Sequence, residues 1–399
     1  MRFEVVDTVE ALKASEWDAL WPHEYPFTRH CFLRALERSN SVGGRSGWLS
    51  RHLIGFNRQT ETLGLVMPMY LKTHSYGEYV FDWSWADAYA QHGLDYYPKL
   101  INAIPFTPAT GPRVGLGEGS TPAATELREA LQTLAKDSGV SGIHSLFPDV
   151  GSRSLLADTL PARREACQFH WFNRNYRDFD DFLQGFASRK RKTLRKEREK
   201  CRAFDIQLAS ADQFNDTDWQ QFYQLYHRTY LKRSGRPGYL GPDFFLDLRD
   251  TMPKQLLLAK ARYQGEFVAG AVFFRDTHTL YGRYWGAVDE FDGLHFETCY
   301  YQGIDYAIRE GLQRFDPGAQ GEHKIQRGFE PVITCSQHWL AEPAFHHAID
   351  QFCQQEAAHN RLYMDEACAL LPFKEGFETV GRGVLLGEIN SLNGVNSTE

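Results

Sequence analysis

Tyr281, Arg283 and Trp285 alternate along this 399-residue chain, so in an extended strand they share one face, with Tyr284 on the other. His295 and Glu297 follow at the start of an expected helix. Asp316, Gln320, Glu322, His323 and Lys324 then crowd into the glycine-broken run DPGAQGEHK. Carboxylates, imidazoles and an amine at this density are the groups that proton transfer uses. Polar side chains gathered in a Gly-rich loop after a strand more often carry function than charges along a helix face. Plainer roles fit the same residues. His295 can cap or pack its helix, Glu322 and Lys324 can form a surface ion pair worth little, and Tyr281 and Trp285 can be core.

A second chemistry, anion binding, is suggested by Phe179 to Arg202. Its first half spaces Phe179, Phe182, Leu183 and Phe186 as an apolar helical stripe. Its second half opens at Ser188, a good helix N-cap. From there to Arg202, nine cations (Arg189, Lys190, Arg191, Lys192, Arg195, Lys196, Arg198, Lys200, Arg202) stand against Glu197 and Glu199. That is +7 in a chain whose formal charge is -7, leaving -14 to the remainder. Like charges at i,i+4 repel, so an anionic counterpart fits such a helix, and a solvated surface helix is the plainer alternative. The acidic total excludes indiscriminate nucleic-acid binding while leaving room for one local anion site.

The elements that must position these groups follow from composition and pattern. At about 150 residues per domain, the length predicts two domains, and 42% hydrophobic and 14% aromatic residues are ample for large cores. The N-terminus lacks a signal-peptide pattern and no run of eighteen apolar residues occurs, so the expectation is a cytoplasmic protein without membrane insertion. Seven scattered cysteines with no C-x-x-C pair indicate reduced thiols and no zinc ribbon. Asp82, Asp87 and His92, like His346, His347 and His359, are not spaced as metal ligands, and no metal is expected.

In chain order, a strand at Arg2 to Val6, helices near Val9 to Leu20 and Arg29 to Arg38, and a hairpin of Arg51 to Phe56 with Leu63 to Tyr70 come first. The aromatic segment Tyr79 to Tyr97 carries Trp85 and Asp87 among other rings and acids, which suits a core or a pocket wall. Gly115, Gly117 and Gly119 form a turn before a helix expected to be capped by Ser120 or Thr121, a possible phosphate seat but not a G-x-G-x-x-G. In the second half, helices at Thr217 to Leu231 and Pro242 to Asp250 precede three strands, Gln255 to Tyr263, Glu266 to Phe274 and Thr279 to Ala287. A helix (His295 to Gly311) and strands at Arg314 to Asp316 and Pro331 to Leu340 follow. Each half therefore gives helices, an antiparallel meander, then helix and strand, a duplication of architecture. The expected domains are residues 1–175 and 176–380, with a loose tail at 381–399.

The segments FDWSWADAYAQHGLDYYPKL, IPFTPATGPR, FHWFNRNYRDFDDFL, SRKRKTLRKER and FDPGAQGEHKIQRGFEP together resemble the FemAB-like family of peptidoglycan biosynthesis or recognition proteins. The resemblance implies an α+β fold of tandem GNAT-like (acyl-CoA N-acyltransferase) domains, each a mixed, mostly antiparallel sheet flanked by helices and splayed where the acyl donor lies. It also implies transfer of an acyl or aminoacyl group to an amine, with acyl-CoA or aminoacyl-tRNA as the undecided donor. The partners are then an anionic small molecule or tRNA and an amine acceptor. The chain departs from the Fem pattern Phe-Lys-x-x-Phe, placing Gln326 at the lysine position, and Lys324, on the same side if the segment is extended, is the substitute. The alternative is a non-catalytic protein that binds a peptidoglycan-like or nucleic-acid ligand.

Under this resemblance, Tyr281, His295, Glu297, Glu322 and Lys324 are the candidate catalytic residues. Arg191, Arg195, Arg198, Arg283, Trp285, Gln320, His323, Trp85 and Asp87 are the candidate substrate-binding residues. The active site is expected mainly in the second domain, at the cleft between the two.

Overall fold

The computed structural model describes residues 1–21, 25–319 and 321–380. Strand β1 (Arg2–Val6) and helices α1 (Ala14–Asp18) and α2 (His30–Arg38) precede β2 (Trp48–Ser50), β3 (His52–Phe56), β4 (Leu63–Met67) and β5 (Met69–Lys72). Next come α3 (Trp83–Gln91), β6 (Lys99–Asn102), β7 (Gly115–Leu116), α4 (Ala124–Asp137), β8 (Gly142–Leu146), α5 (Val150–Leu156) and β9 (Ala162–Phe172). The basic segment supplies α6 (Phe179–Gln184) and α7 (Ser188–Glu199), followed by β10 (Asp205–Ser210), α8 (Asp216–Ser234) and α9 (Pro242–Thr251). The chain continues through β11 (Leu256–Tyr263), β12 (Glu266–Arg275), β13 (Thr279–Ala287), α10 (Leu294–Phe296), a π turn (Glu297–Tyr301) and α11 (Gln302–Arg309). It closes with β14 (Arg314–Asp316), a 3-10 turn (Glu322–Arg327), β15 (Glu330–Leu340) and α12 (Pro343–Ala369).

Two compact units form. The first joins Met1–Cys167 with Ile333–Tyr363, and the second joins Gln168–Val332 with the described residues from Met364 onward. This division differs from the expected boundary at 175/176. Residues Ser336 to Leu340 of β15 pair antiparallel with Leu146 to Gly142 of β8. Ile349 and Cys353 of α12 are buried with Trp85, Tyr89 and Tyr96. A segment late in the sequence thus completes the first unit. The tail expected at 381–399 lies outside the described residues.

In the first unit, β1, β3, β4 and β7 make an antiparallel sheet, and a second sheet runs β2, β5, β6, β8 and β15, with β6 and β8 parallel. The core between Leu53, Leu65, Met69, Leu100 and Ile143 takes in Leu127 and Leu131 of α4. The glycine turn at 115–119, expected as a possible phosphate seat, commits two of its backbone donors to the fold. The Leu116 N–H donates to Leu20 O and the Gly117 N–H to Gly64 O, and α4 starts from Ala123 with no side-chain cap.

The second unit holds the sheet β10–β11–β12–β13–β14–β9, antiparallel except for β13 with β14. The expected α+β class and mostly antiparallel mixed sheets are present. β11 and β12 read as nearly continuous apolar runs because both faces are covered. Helix α8 starts from a capping box, Asn215 with Asp218, and ends at Gly235 in the left-handed region. It buries Trp219, Phe222, Leu225 and Tyr226. At Gly286 of β13 the backbone of Leu225 and Tyr226 comes so close that a β-carbon has no space. Gly286→Ala is therefore expected to lose about 1–3 kcal/mol of stability by overpacking, read as a lowered urea midpoint at unchanged slope.

Candidate functional site

The parallel pairing of β13 with β14 covers only Thr279 with Arg314, Leu280 with Phe315 and Tyr281 with Asp316. β14 then ends, while β13 continues to Ala287 along β12. Beyond Tyr281 the two chains part, and several of the candidate side chains gather at this parting. Arg283 grips Asp316 bidentately at 3.2 and 2.8 Å and also donates to Gly282 O at 2.7 Å. Both side chains of this pair are almost fully buried. The Arg283 charge, with His170 nearby and the Gly318 N–H donating at 2.8 Å, holds the Asp316 carboxyl well below the usual range despite its burial. Arg283, expected to touch substrate, is thus occupied by Asp316.

Lys324 lies on the 3-10 turn, 1% exposed. Its Nζ donates to the Gly318 and Ala319 carbonyls at 2.6 and 3.5 Å. Burial pulls its pKa down to about 7, Asp316 opposing and Arg283 assisting. Lys324 is therefore no partner in a surface ion pair. Nor is the segment extended: a 3-10 turn sets Lys324 inward, while the less buried Gln326 accepts from Lys190 Nζ and donates to Leu370 O. Glu322 is exposed in the first turn, and Gln320 lies outside the described residues.

His323 Nε2 and the Tyr300 hydroxyl are 2.8 Å apart. Burial, with Lys324 and Arg327 adjacent, lowers the His323 pKa to about 4. His295 packs edge-on against Trp285 at 5.2 Å and is 6.3 Å from the His323 ring. Burial and the charge of Arg233 lower its pKa to about 3, so both imidazoles are neutral at pH 7. Arg327 backs this corner, stacking on Phe296 at 3.4 Å and donating to His323 O and Glu197. Tyr281 is buried, and its hydroxyl donates to Asp276 at 2.8 Å.

The remaining candidates sit elsewhere. Glu297 opens the π turn, where it accepts from Arg198 at 3.1 and 2.9 Å and from Gln302 at 2.8 Å. Its carboxylate, expected to be catalytic, is engaged by Arg198, which was expected to bind substrate and also holds Asp305 at 2.7 Å and covers the Phe179 ring. Arg191 donates to Gln184 and Arg195 to Asp180. Within α7, Arg195 and Arg198 are thus matched by acids of their own unit, and Ala187 rather than Ser188 is its N-cap. Trp85 and Asp87 lie in the first unit. Trp85 is core against His338 and beneath Arg164, and Asp87 is exposed on α3. Sequence reasoning missed His170 and Tyr300, both inside apolar runs where aromatic spacing reads as packing.

Arg198→Ala, which strands the Glu297 carboxylate in its buried place, is expected to cost about 3–5 kcal/mol, measured by chemical denaturation. A solvated helix would lose almost nothing.

The solved structures similar to this chain include FemX, with a TM-score of 0.52 and 11% identity over 88% of this chain and 100% of that one. A conserved protein of unknown function from Bacteroides thetaiotaomicron has a TM-score of 0.48 and 12% identity, over 84% and 99%. A tandem GNAT protein from the clavulanic acid biosynthesis pathway has a TM-score of 0.44 and 10% identity, over 86% and 99%. No curated protein sequence matches. At these identities the likeness to FemX speaks to fold alone, an α+β architecture of mixed, mostly antiparallel sheets flanked by helices. The FemAB-like model, described as peptidoglycan biosynthesis/recognition, matches residues 8–375, and the chain belongs to that family.

Proposed function

We propose that this protein is a transferase that moves an acyl or aminoacyl group onto an amine, with its reacting centre where β13 and β14 part. The observation that carries this reading is the buried Lys324 amine at the parting, held by two carbonyls and poised near neutrality. The donor is an ester or thioester, aminoacyl-tRNA or acyl-CoA, and the acceptor amine belongs to a peptidoglycan-related or other anionic precursor, in keeping with the family's description.

Acyl transfer to an amine forms a C–N bond, breaks a C–O or C–S bond and passes one proton from the amine to the departing oxygen or sulfur. Neutral Lys324 accepts that proton from the tetrahedral adduct and returns it to the leaving group. The His323–Tyr300 pair, neutral at pH 7, supplies a hydrogen bond to the developing oxyanion. Arg283 and Asp316 are positioning residues. They fix the turn whose carbonyls hold the lysine. A second reading, a protein that binds without turnover, rests on Gln326, whose side chain is spent on Lys190 and Leu370.

The test is label transfer from acyl-CoA or aminoacyl-tRNA to an amine. With a lysine titrating at about 7, kcat/KM is expected to rise with pH up to that point and then level off. Lys324→Met is expected to lower kcat by about 10²–10⁴ and to remove that rising limb. A ligand bound tightly with no donor ever turned over would leave the binding reading alone standing.

The same shift governs stability. Between about 7 and the ordinary 10.5, the unfolded chain holds a proton on Lys324 that the folded chain has lost, so stability rises with pH across that window. Lys324→Met is therefore expected to melt higher than the wild type at about pH 6, with the gain shrinking toward about pH 10.

A further inference from the structure

Two cavities of the second unit differ in what they offer an anion. The one beside α7, about 810 Å³, is lined by Arg195, Arg198 and Arg202. Each is already paired, with Asp180, with Glu297 and Asp305, and with Glu199 respectively. Asp178 adds a further carboxylate to the lining. The basic segment therefore presents no uncommitted cation to that space.

The other cavity, about 580 Å³, lies between the last turns of α8 and the far end of β13. Its wall is fixed, because Thr229 Oγ1 accepts the Ala287 N–H at 3.1 Å and Gly286 admits the helix backbone against the strand. Arg228 and Arg233 line it, and neither makes an ion pair or hydrogen bond among the described residues. The other charges around it are matched. Lys232 holds Glu290 at 2.9 Å, and Lys200 holds Asp292 at 2.7 Å. Asp289 accepts the Glu290 N–H at 2.8 Å and is the one lining carboxylate without a cation, against two free guanidiniums. Trp285, Phe291 and Phe296 contribute aromatic rings to the lining, and His295 closes the end toward His323. The volume is that of a site for one small ligand.

We propose that this cavity is a nucleotide-phosphate site, Arg228 and Arg233 gripping phosphate oxygens while the aromatic wall takes the flat base. Guanidinium forks match phosphate geometry, and aromatic faces accept any base. The ligand has one chemistry and two sources, the adenosine phosphate of coenzyme A or the terminal adenosine of a tRNA acceptor end. The proposal rests on the transferase reading for what the bound molecule donates and on the cavity alone for where it is held.

Calorimetry on the full chain with adenosine 3′,5′-bisphosphate, coenzyme A and an RNA hairpin ending in CCA tests it. Binding of at least one probe is expected, weakened about tenfold or more in Arg228→Gln/Arg233→Gln and unchanged in Arg195→Gln. Competition between coenzyme A and the hairpin identifies the source. Arg233→Lys, which keeps the charge and loses the fork, is expected to weaken binding less, and it serves as the second variant should the double one fail to fold. No probe bound at millimolar concentration, or affinity unchanged in both variants, overturns the site. Arginine-dependent binding with no transfer from any donor keeps the site and removes the transferase reading. Transfer that persists unchanged in both variants does the reverse.

Discussion

The buried pair of Arg283 and Asp316 is the constraint on which the second unit's site depends. Three residues of parallel pairing cannot by themselves fix how far β13 and β14 diverge. The ion pair does so, reaching from Arg283, two residues past the last pair, back to Asp316. Withdrawing two charges from water costs several kcal/mol per ion, and only good geometry with added hydrogen bonds recovers it. Here the geometry is bidentate, Gly282 O takes another guanidinium proton, and Gly318 N–H takes a carboxylate lone pair. That last bond passes the constraint to the turn, whose carbonyls then hold Lys324.

A second consequence concerns the lysine itself. Burial and the neighbouring guanidinium draw this amine's pKa down, and Asp316 opposes them. The same carboxylate that fixes the strands therefore also sets the lysine's charge. Geometry and protonation are coupled through one residue, so a neutral replacement at Asp316 disturbs both together.

Much of the second unit was legible because its signals are local. The strands at Glu266, Thr279 and Arg314 follow from apolar or alternating runs and turn residues, Arg283 stands out on its strand, and Lys324 and His323 stand out as polar groups in a glycine-broken loop. What remained hidden depends on tertiary partners. The charge run of α7 reads as an anion site, yet Glu297 and Asp305, about a hundred positions later, claim Arg198. Gln326 and Lys324 separate because the segment winds as a 3-10 turn, which glycines at both ends permit and no period announces. The helix α12 shows no continuous apolar stripe, so neither its length nor the unit it completes is visible from spacing. The free guanidiniums of Arg228 and Arg233 are masked by the aromatic residues between and around them, which mark α8 as a packing helix.

The placement of unmatched charge follows a physical order. A cation on a helix is neutralised first by the acids its own fold can bring near, since those cost no association entropy. The dense run in α7 attracts such partners, and Asp180, Glu199, Glu297 and Asp305 take up arginines there. Helix α8 ends more sparsely charged, and Lys232 and Lys200 take Glu290 and Asp292 there, leaving Arg228 and Arg233 without an ion pair among the described residues. Charge density in the sequence is thus a poor guide to available charge in the fold. The available charge lies where cations are left without an acid, as Arg228 and Arg233 are at the rim of the cavity that ends at His295.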